Sequence, residues 1–421
     1  MLNLRAYLFG AGSLLACSVA ALPVSADTLK VIHTFSAIQK GARPAAALTT
    51  DSTGTLYGTT YTGDASGNGT VFLLSPPSAG SKKWIHTVLH RFSASGKKGD
   101  LPDSSVILDA NGNLYGTTTA GGAVNGGAGV VFELVRPAIE GDPWKEIVLH
   151  RFTGGSDGGT PLGTLVFGAD GDLYGTAGFG GTSGAGLVFK LSPRDAGHWK
   201  ETILFNFGND AGGGYPYSRP IFDAAGNLYA TTLNGGNTGN GVVFELSPPA
   251  GGVGPWTETV LHSFDGATDG VEPRMGVIMD STGNLYGTTE SGGSVGYGAV
   301  FEVSPPAGGG GSWTETVLYN FGFSPDGGSP GLSGLVMDTS GNLFGTTETG
   351  GTLHHGVVFK LAPPGQGGGS WTESVMHTFA DSPDGAQPEA GLTFGSGGLL
   401  YGTTFYGGAA SESGTVFKVT P

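Results

Sequence analysis

Apolar and polar positions alternate along this chain in short runs, broken by glycine-rich turns. Between Pro273 and Phe321 the runs "MGVIMD", "NLYGTT", "GAVFEVSP" and "WTETVLYNF" follow one another. A period of two in runs rich in Val, Thr, Tyr and Phe predicts β-strands. No stretch sustains the spacing of an amphipathic helix, so the mature chain is expected to be almost free of helix.

The four-run unit repeats. The phrase "GNLYGTTESGG" at Gly283 returns in altered spelling at Gly54, Gly112, Gly171, Gly226, Gly341 and Gly398, at intervals of 55–59 residues. Seven units of four strands predict an all-β fold, a seven-bladed β-propeller of four-stranded blades. Residues 28–35, "TLKVIHTF", match the fourth run of a unit, whereas the last unit stops after its third run, "GTVFKVTP". The N-terminal strand is therefore expected to close the last blade.

Positions that repeat in every blade have a packing explanation. Leu56, Leu114 and their counterparts precede a Tyr or Phe, and Phe72, Phe132 and their counterparts hold one place in the third run. All six tryptophans open a fourth run. Such rings suit contacts between blades. The D-x-x-G-N turn, as at Asp109 and Asp280, reads as an Asx-supported hairpin, because it lacks the alternating acidic ligands of a calcium loop. His33, His90, His150, His262 and His377 precede x-Phe in the fourth run, where other blades have Phe205 and Tyr319. That exchange with aromatics reads as packing, and no metal or cofactor is assigned.

Composition refines this picture. Gly and Pro make up about a quarter of the 421 residues, which without periodicity would suggest disorder. Here the glycines recur on the repeat. The net charge of −15, with no basic run, makes nucleic acid and anionic membrane surfaces poor partners. Residues 1–26 join Arg5, an apolar run and Val24-Ser25-Ala26, the pattern of a secretory signal peptide cleaved after Ala26. Leu14-Leu15-Ala16-Cys17 also fits a bacterial lipobox, which would leave Cys17 as a lipidated N-terminus. The apolar run is too short and glycine-interrupted for a transmembrane segment. Residues 27–421 are then one domain without cysteine, held together by burial alone.

At "LYGTT…GG…G.G.VF" the chain resembles the GloVer tandem-repeat family of exported bacterial proteins. The motif covers residues 27–421, and blade four departs from it with Ala230 in place of the second Gly. The resemblance implies secretion and a repeat fold, and it brings no activity or catalytic residues. Members often carry a C-terminal anchoring segment. This chain ends at Pro421 without one, so a released or periplasmic monomer is expected. The order of runs is also similar to kelch repeats, but a kelch-like copper oxidase needs a Cys cross-linked to a Tyr.

If repeated residues build the frame, function belongs to the departures. In a propeller with its first strand innermost, one channel mouth is made by the fourth-to-first connections and the loops between strands two and three. The connection carries D-G-x-x-P at Asp157, Asp269, Asp326 and Asp384, with Lys40, Lys98 and Gly212 elsewhere. It reads as a turn, or alternatively as a ring of carboxylates facing a cation or sugar. One residue after the Pro, Asp103, Tyr217, Arg274 and Glu389 interrupt Ala45 and Leu162. Three residues after it, Ala47, Ser105, Thr164, Gly276 and Gly391 are small, yet blade four has Arg219. Arg219 is expected to enter the channel or pair with a neighbour. The set forms a ligand-binding mouth or an internal salt-bridge ring. His354 and His355, with Tyr61, Phe179, Tyr297, Phe405 and Tyr406, are further departures that could face a sugar.

Two functions follow. One is a non-catalytic secreted propeller that recognises a glycan or a cell-envelope protein through this face. The other is a polysaccharide lyase or hydrolase, or a lactonase, using Arg219, Asp103 and Glu389. No catalytic residue is identified by motif.

Overall fold

A computed structural model describes residues 29–36, 41–63, 67–93, 98–122, 127–252, 254–308, 311–365, 368–409 and 413–421. The signal-peptide segment, Cys17 and Lys40 lie outside these residues. Seven four-stranded antiparallel sheets form the ring. In blade four the strands are Ile221–Phe222, Leu228–Thr232, Val242–Ser247 and Thr257–Ser263. The only helical elements among the described residues are single 3-10 turns. Closure occurs as the repeat predicts: Lys30–Thr34 pairs antiparallel with Thr415–Val419 and supplies the fourth strand of blade seven.

The core lies between blades, since each sheet buries both faces. One cluster joins Val131, Leu149 and Phe152 of blade two to Leu173, Phe189 and Leu191 of blade three. The ring closes on a cluster of the same kind, with Phe35 and Val416 of blade seven against Leu56 and Phe72 of blade one. At every boundary the Phe that ends a fourth strand meets the third-strand Phe of the next blade, from Phe35–Phe72 to Phe379–Phe417, with centroids 5.0–5.2 Å apart. Tryptophans seal the outer ends of five boundaries against the Tyr of the previous blade, as in Trp199–Tyr115 and Trp371–Tyr286.

The repeated phrase now has a physical account. Its glycine after Leu-Tyr faces the third-strand Phe: a Cβ on Gly58 would stand 2.6 Å from Phe72 Cζ. The first Thr of the pair reaches the inner strand of the next blade. Thr59 donates to the Ser104 carbonyl at 3.0 Å, Thr176 to Ser218 at 2.9 Å, and Thr403 to Pro44 across the closure at 3.1 Å. The turn Asp accepts N–H groups as an Asx turn does, Asp280 from Thr282 at 2.8 Å and Asn284 at 2.9 Å. The phrase encodes a strand, a turn and a blade-to-blade hydrogen bond.

Candidate functional site

The connection that enters each inner strand is unusual at one residue. Arg43, Leu101, Thr160, Tyr215, Glu272, Ser329 and Gln387 stand immediately before the Pro, all with φ between 50° and 58°. A residue before Pro favours extended backbone, and left-handed backbone at a non-glycine residue costs about 1 kcal/mol or more. Two hydrogen bonds hold each one in place. Its N–H donates to the strand-two-to-three loop of the preceding blade, as Tyr215 does to Ala185 at 2.7 Å. Its carbonyl accepts from its own blade, as Tyr215 does from Leu233 at 3.1 Å. The preceding glycine is equally constrained: at Gly270, with φ +99°, a Cβ would lie 2.0 Å from Thr289 Oγ1. The mouth is thus a rigid seam of backbone from which side chains project.

Asp103, Tyr217, Arg274 and Glu389 come together here, around Arg274. Its guanidinium lies 5.9 Å from the Tyr217 ring centre, and its Nε is 3.5 Å from Glu290 Oε2. Burial pushes Asp103 up to about 7, although the Arg274 charge pulls it back. Burial raises Glu389 to about 8, with the Glu348 and Asp103 carboxylates adding to the rise and Arg274 and Arg43 opposing it. Glu290 and Glu348 are also raised, chiefly by burial. Arg274 thus works against the burial-driven rise at all four carboxyls, and Arg43 adds to it at Glu389.

Arg219 stands apart from this cluster. It lines the central channel, a cavity of about 550 Å³ whose wall includes Ala47, Ser105, Thr164, Gly276 and Gly391. Its side chain is reached by solvent in the channel, yet the surrounding protein desolvates the guanidinium and lowers its pKa. No ion pair or hydrogen bond engages it among the described residues. Asp103 and Tyr217 line the same channel. Arg219 therefore enters the channel and does not pair with the Arg274 cluster.

Aromatic rings surround the mouth. Phe179 packs on Tyr215 and Tyr217, with centroids 5.5 and 6.0 Å away, and is 44% exposed. The Arg43 guanidinium lies 5.2 Å from Tyr406 and 5.7 Å from Phe405. His354 stacks on Phe323 at 5.4 Å, and Phe323 meets Tyr297. His355 contributes its carbonyl, which accepts the Gln387 N–H at 3.0 Å. Neither histidine reaches the Arg274 cluster.

The D-G-x-x-P aspartates do not form a carboxylate ring at the mouth. They turn outward to the fourth strands: Asp269 Oδ2 is 2.7 Å from His262 Nε2, Asp384 Oδ2 is 2.7 Å from His377 Nε2, and Tyr319 donates to Asp326 at 2.6 Å. They also cap their own turn, Asp326 accepting the Gly322 N–H at 2.9 Å. The histidines pack edge-on against the Phe two residues later, His262 on Phe264 at 4.8 Å, in keeping with the packing expectation.

Sequence reasoning missed Arg43, Glu290 and Glu348. Glu290 and Glu348 follow the Thr pair, where other blades have Tyr61, Thr119, Gly178, Leu233 and Phe405, so comparing blades at that position would have found them.

A ring of repeats clasped by its own N-terminal strand, with one charged and aromatic channel mouth, defines a tandem-repeat propeller. The chain belongs to the Gloeobacter/Verrucomicrobia repeat family, whose sequence profile matches residues 12–219 and 195–417. No curated protein sequence matches it. Among solved structures it is similar to the extracellular domain of a one-component system of B. thetaiotaomicron, at 11% identity and TM-score 0.52, over 93% of this chain and 42% of that one. It is also similar to a 6-phosphogluconolactonase of Bacteroides uniformis, at 15% identity and TM-score 0.49, covering 81% and 86% of the two chains. A glucose dehydrogenase of Thermus thermophilus aligns at 15% identity and TM-score 0.43, covering 93% and 99%. At these identities the likeness is one of fold.

Proposed function

We propose that this protein is a secreted propeller that binds a glycan of the cell envelope through its channel mouth. The observation that carries this reading is the cluster around Arg274, where Tyr217 and the protonatable groups Asp103 and Glu389 meet beside exposed Phe179. Aromatic faces with charged and neutral hydrogen-bonding groups suit sugar rings and their hydroxyls. Export rests on the N-terminal segment, whose pattern is that of a secretory signal. Arg219, without an ion pair among the described residues, offers five donors to a carboxylate or hydroxyl entering from the mouth. A glycan array and envelope pull-down with the purified protein test the reading. Binding that weakens in Arg274→Met and Arg219→Ala is expected, and an absence of any hit counts against it.

A second reading, a polysaccharide lyase or hydrolase or a lactonase, is favoured by one observation. Asp103 and Glu389 have pKa values of about 7 and 8, the range suited to general acid–base work near neutral pH. Turnover of polysaccharide or lactone panels that is lost in Asp103→Asn and Glu389→Gln would establish it. Equal turnover in the variants removes these residues from the chemistry.

A further inference from the structure

Three repeated positions meet at the blade boundaries, away from the channel. They are the His or aromatic before x-Phe, the D-G-x-x-P Asp, and the Glu of W-x-E in the next blade. Comparing the boundaries shows what each position does.

Between blades one and two, Lys98 replaces the Asp. Its Nζ sits 2.8 Å from Glu146 Oε2, and His90 Nε2 lies 3.4 Å from the same oxygen. The fold itself places a cation there. Between blades three and four, Phe205 and Gly212 replace both His and Asp. Between five and six, Tyr319 replaces the His. Between six and seven, His377 and Asp384 remain, and Leu29 stands where the Glu would be.

Between blades four and five the set is complete and has no Lys. His262, Asp269 and Glu315 each offer one ligand atom, all within 4.8 Å of one another. Glu315 Oε1 is buried without a hydrogen-bond partner among the described residues. A buried carboxylate, a half-buried one and an imidazole facing one point require a proton or a cation between them. The same residue types meet more loosely between blades two and three, where His150 Nε2 is 3.9 Å from Asp157 and 3.8 Å from Glu201.

We propose that His262, Asp269 and Glu315 form a divalent transition-metal site of the zinc class at the boundary between blades four and five. One imidazole and two carboxylates suit zinc, with bonds of about 2.0–2.2 Å. Ligand atoms on a tetrahedral ion are then about 3.4 Å apart. The 2.7 Å between His262 Nε2 and Asp269 Oδ2 opens by less than an ångström to meet this. Asp269 is already oriented, because its oxygens accept the backbone N–H groups of Asp265 and Gly266 at 2.9–3.1 Å. Such outer contacts position metal ligands. Three protein ligands leave one position for water.

The repeat supplies substitutions that the fold already accommodates. His262→Phe copies Phe205, and Glu315→Leu copies Leu29. The tag-free full-length protein is titrated with Co²⁺, followed by visible absorption, and then with Zn²⁺ in competition. One equivalent of Co²⁺ giving visible bands that Zn²⁺ abolishes is expected. Each variant, with a wild-type circular dichroism spectrum, is expected to weaken binding about tenfold or more. Glu373→Gln, at the Tyr319 boundary, leaves binding unchanged. The proposal is overturned by an absence of saturable binding, or by binding that survives in both His262→Phe and Glu315→Leu. It is equally overturned if His150→Phe alone removes the signal. Should one variant fail to fold, the other decides between these outcomes.

Discussion

The Arg274 guanidinium lies 5.9 Å from the centre of the Tyr217 ring, joining the connections that enter the inner strands of blades five and four at the channel mouth. The same charge holds down the pKa values of Asp103, Glu290, Glu348 and Glu389. One cation thus opposes, at four carboxyls, the rise that burial causes. Arg274→Met keeps most of the stem and removes the charge. Asp103 and Glu389 are then expected to titrate still higher, by up to about one pH unit. Carboxyl ¹³C chemical shifts followed from pH 5 to pH 9 measure this. Unchanged titration curves would show that Arg274 does not govern the mouth.

Gly345 is predicted to resist a side chain, although blade four holds Ala230 at this place against Phe244. An added Cβ would stand 2.6 Å from Phe359 Cζ and 3.2 Å from a Leu335 methyl, in a fully buried setting. Overpacking of this kind costs about 1–3 kcal/mol. Gly345→Ala should lower stability to urea by that amount, and Phe359→Leu should recover part of it in the double variant. Gly184→Ala is the contrast, since no heavy atom would come within 4 Å of its Cβ although φ is +77°. A loss at Gly345 no larger than at Gly184, where left-handed backbone alone opposes a side chain, would count against the Phe contact.

Why the frame could be read from the chain and the site only in part follows from these examples. Gly345, Phe359 and Thr346 recur because each boundary repeats the same contact, so periodicity exposes them without any structure. Asp103, Tyr217, Arg274 and Glu389 stood out as departures at one repeated place, and they do share the mouth. Arg219 departed in the same way but faces the channel without an ion pair among the described residues, because the inner strand carries its position past the mouth. Glu290 lies sixteen residues from Arg274 in a different loop, and its pairing depends on how two turns fold together. The His262, Asp269 and Glu315 group is written across two blades. Each of its members repeats elsewhere for packing or turn formation, which concealed the one boundary where all three meet closely.

Glu373 should make stability fall as pH rises. Burial, with the Asp326 charge behind it, raises its carboxyl to about 7. The folded protein therefore binds this proton more tightly than the unfolded chain does. Its contribution is complete below about pH 4.5 and is lost as pH climbs through 7. His90 and His150, lowered chiefly by burial, act in the opposite sense at acid pH, so the comparison is made within one background. Glu373→Gln keeps a neutral group of similar shape. Its Tm relative to wild type is expected to rise by a few degrees between pH 5 and pH 8.5. A difference independent of pH would mean that Glu373 is ionised throughout.

Phe35 tests whether the clasp carries the same load as an internal boundary. It is fully buried, 5.2 Å from Phe72, although it belongs to a strand at the opposite end of the chain from its blade partners. Phe152 holds the corresponding place between blades two and three, also 5.2 Å from its partner Phe189. Truncating a buried Phe removes apolar contact and leaves a cavity, at a cost of about 3–5 kcal/mol. If the ring unfolds as one cooperative body, Phe35→Ala and Phe152→Ala should lose similar amounts in urea and retain a single transition. A loss below about 1 kcal/mol at Phe35 alone, or an early separate transition, would show that the N-terminal strand detaches before the ring unfolds.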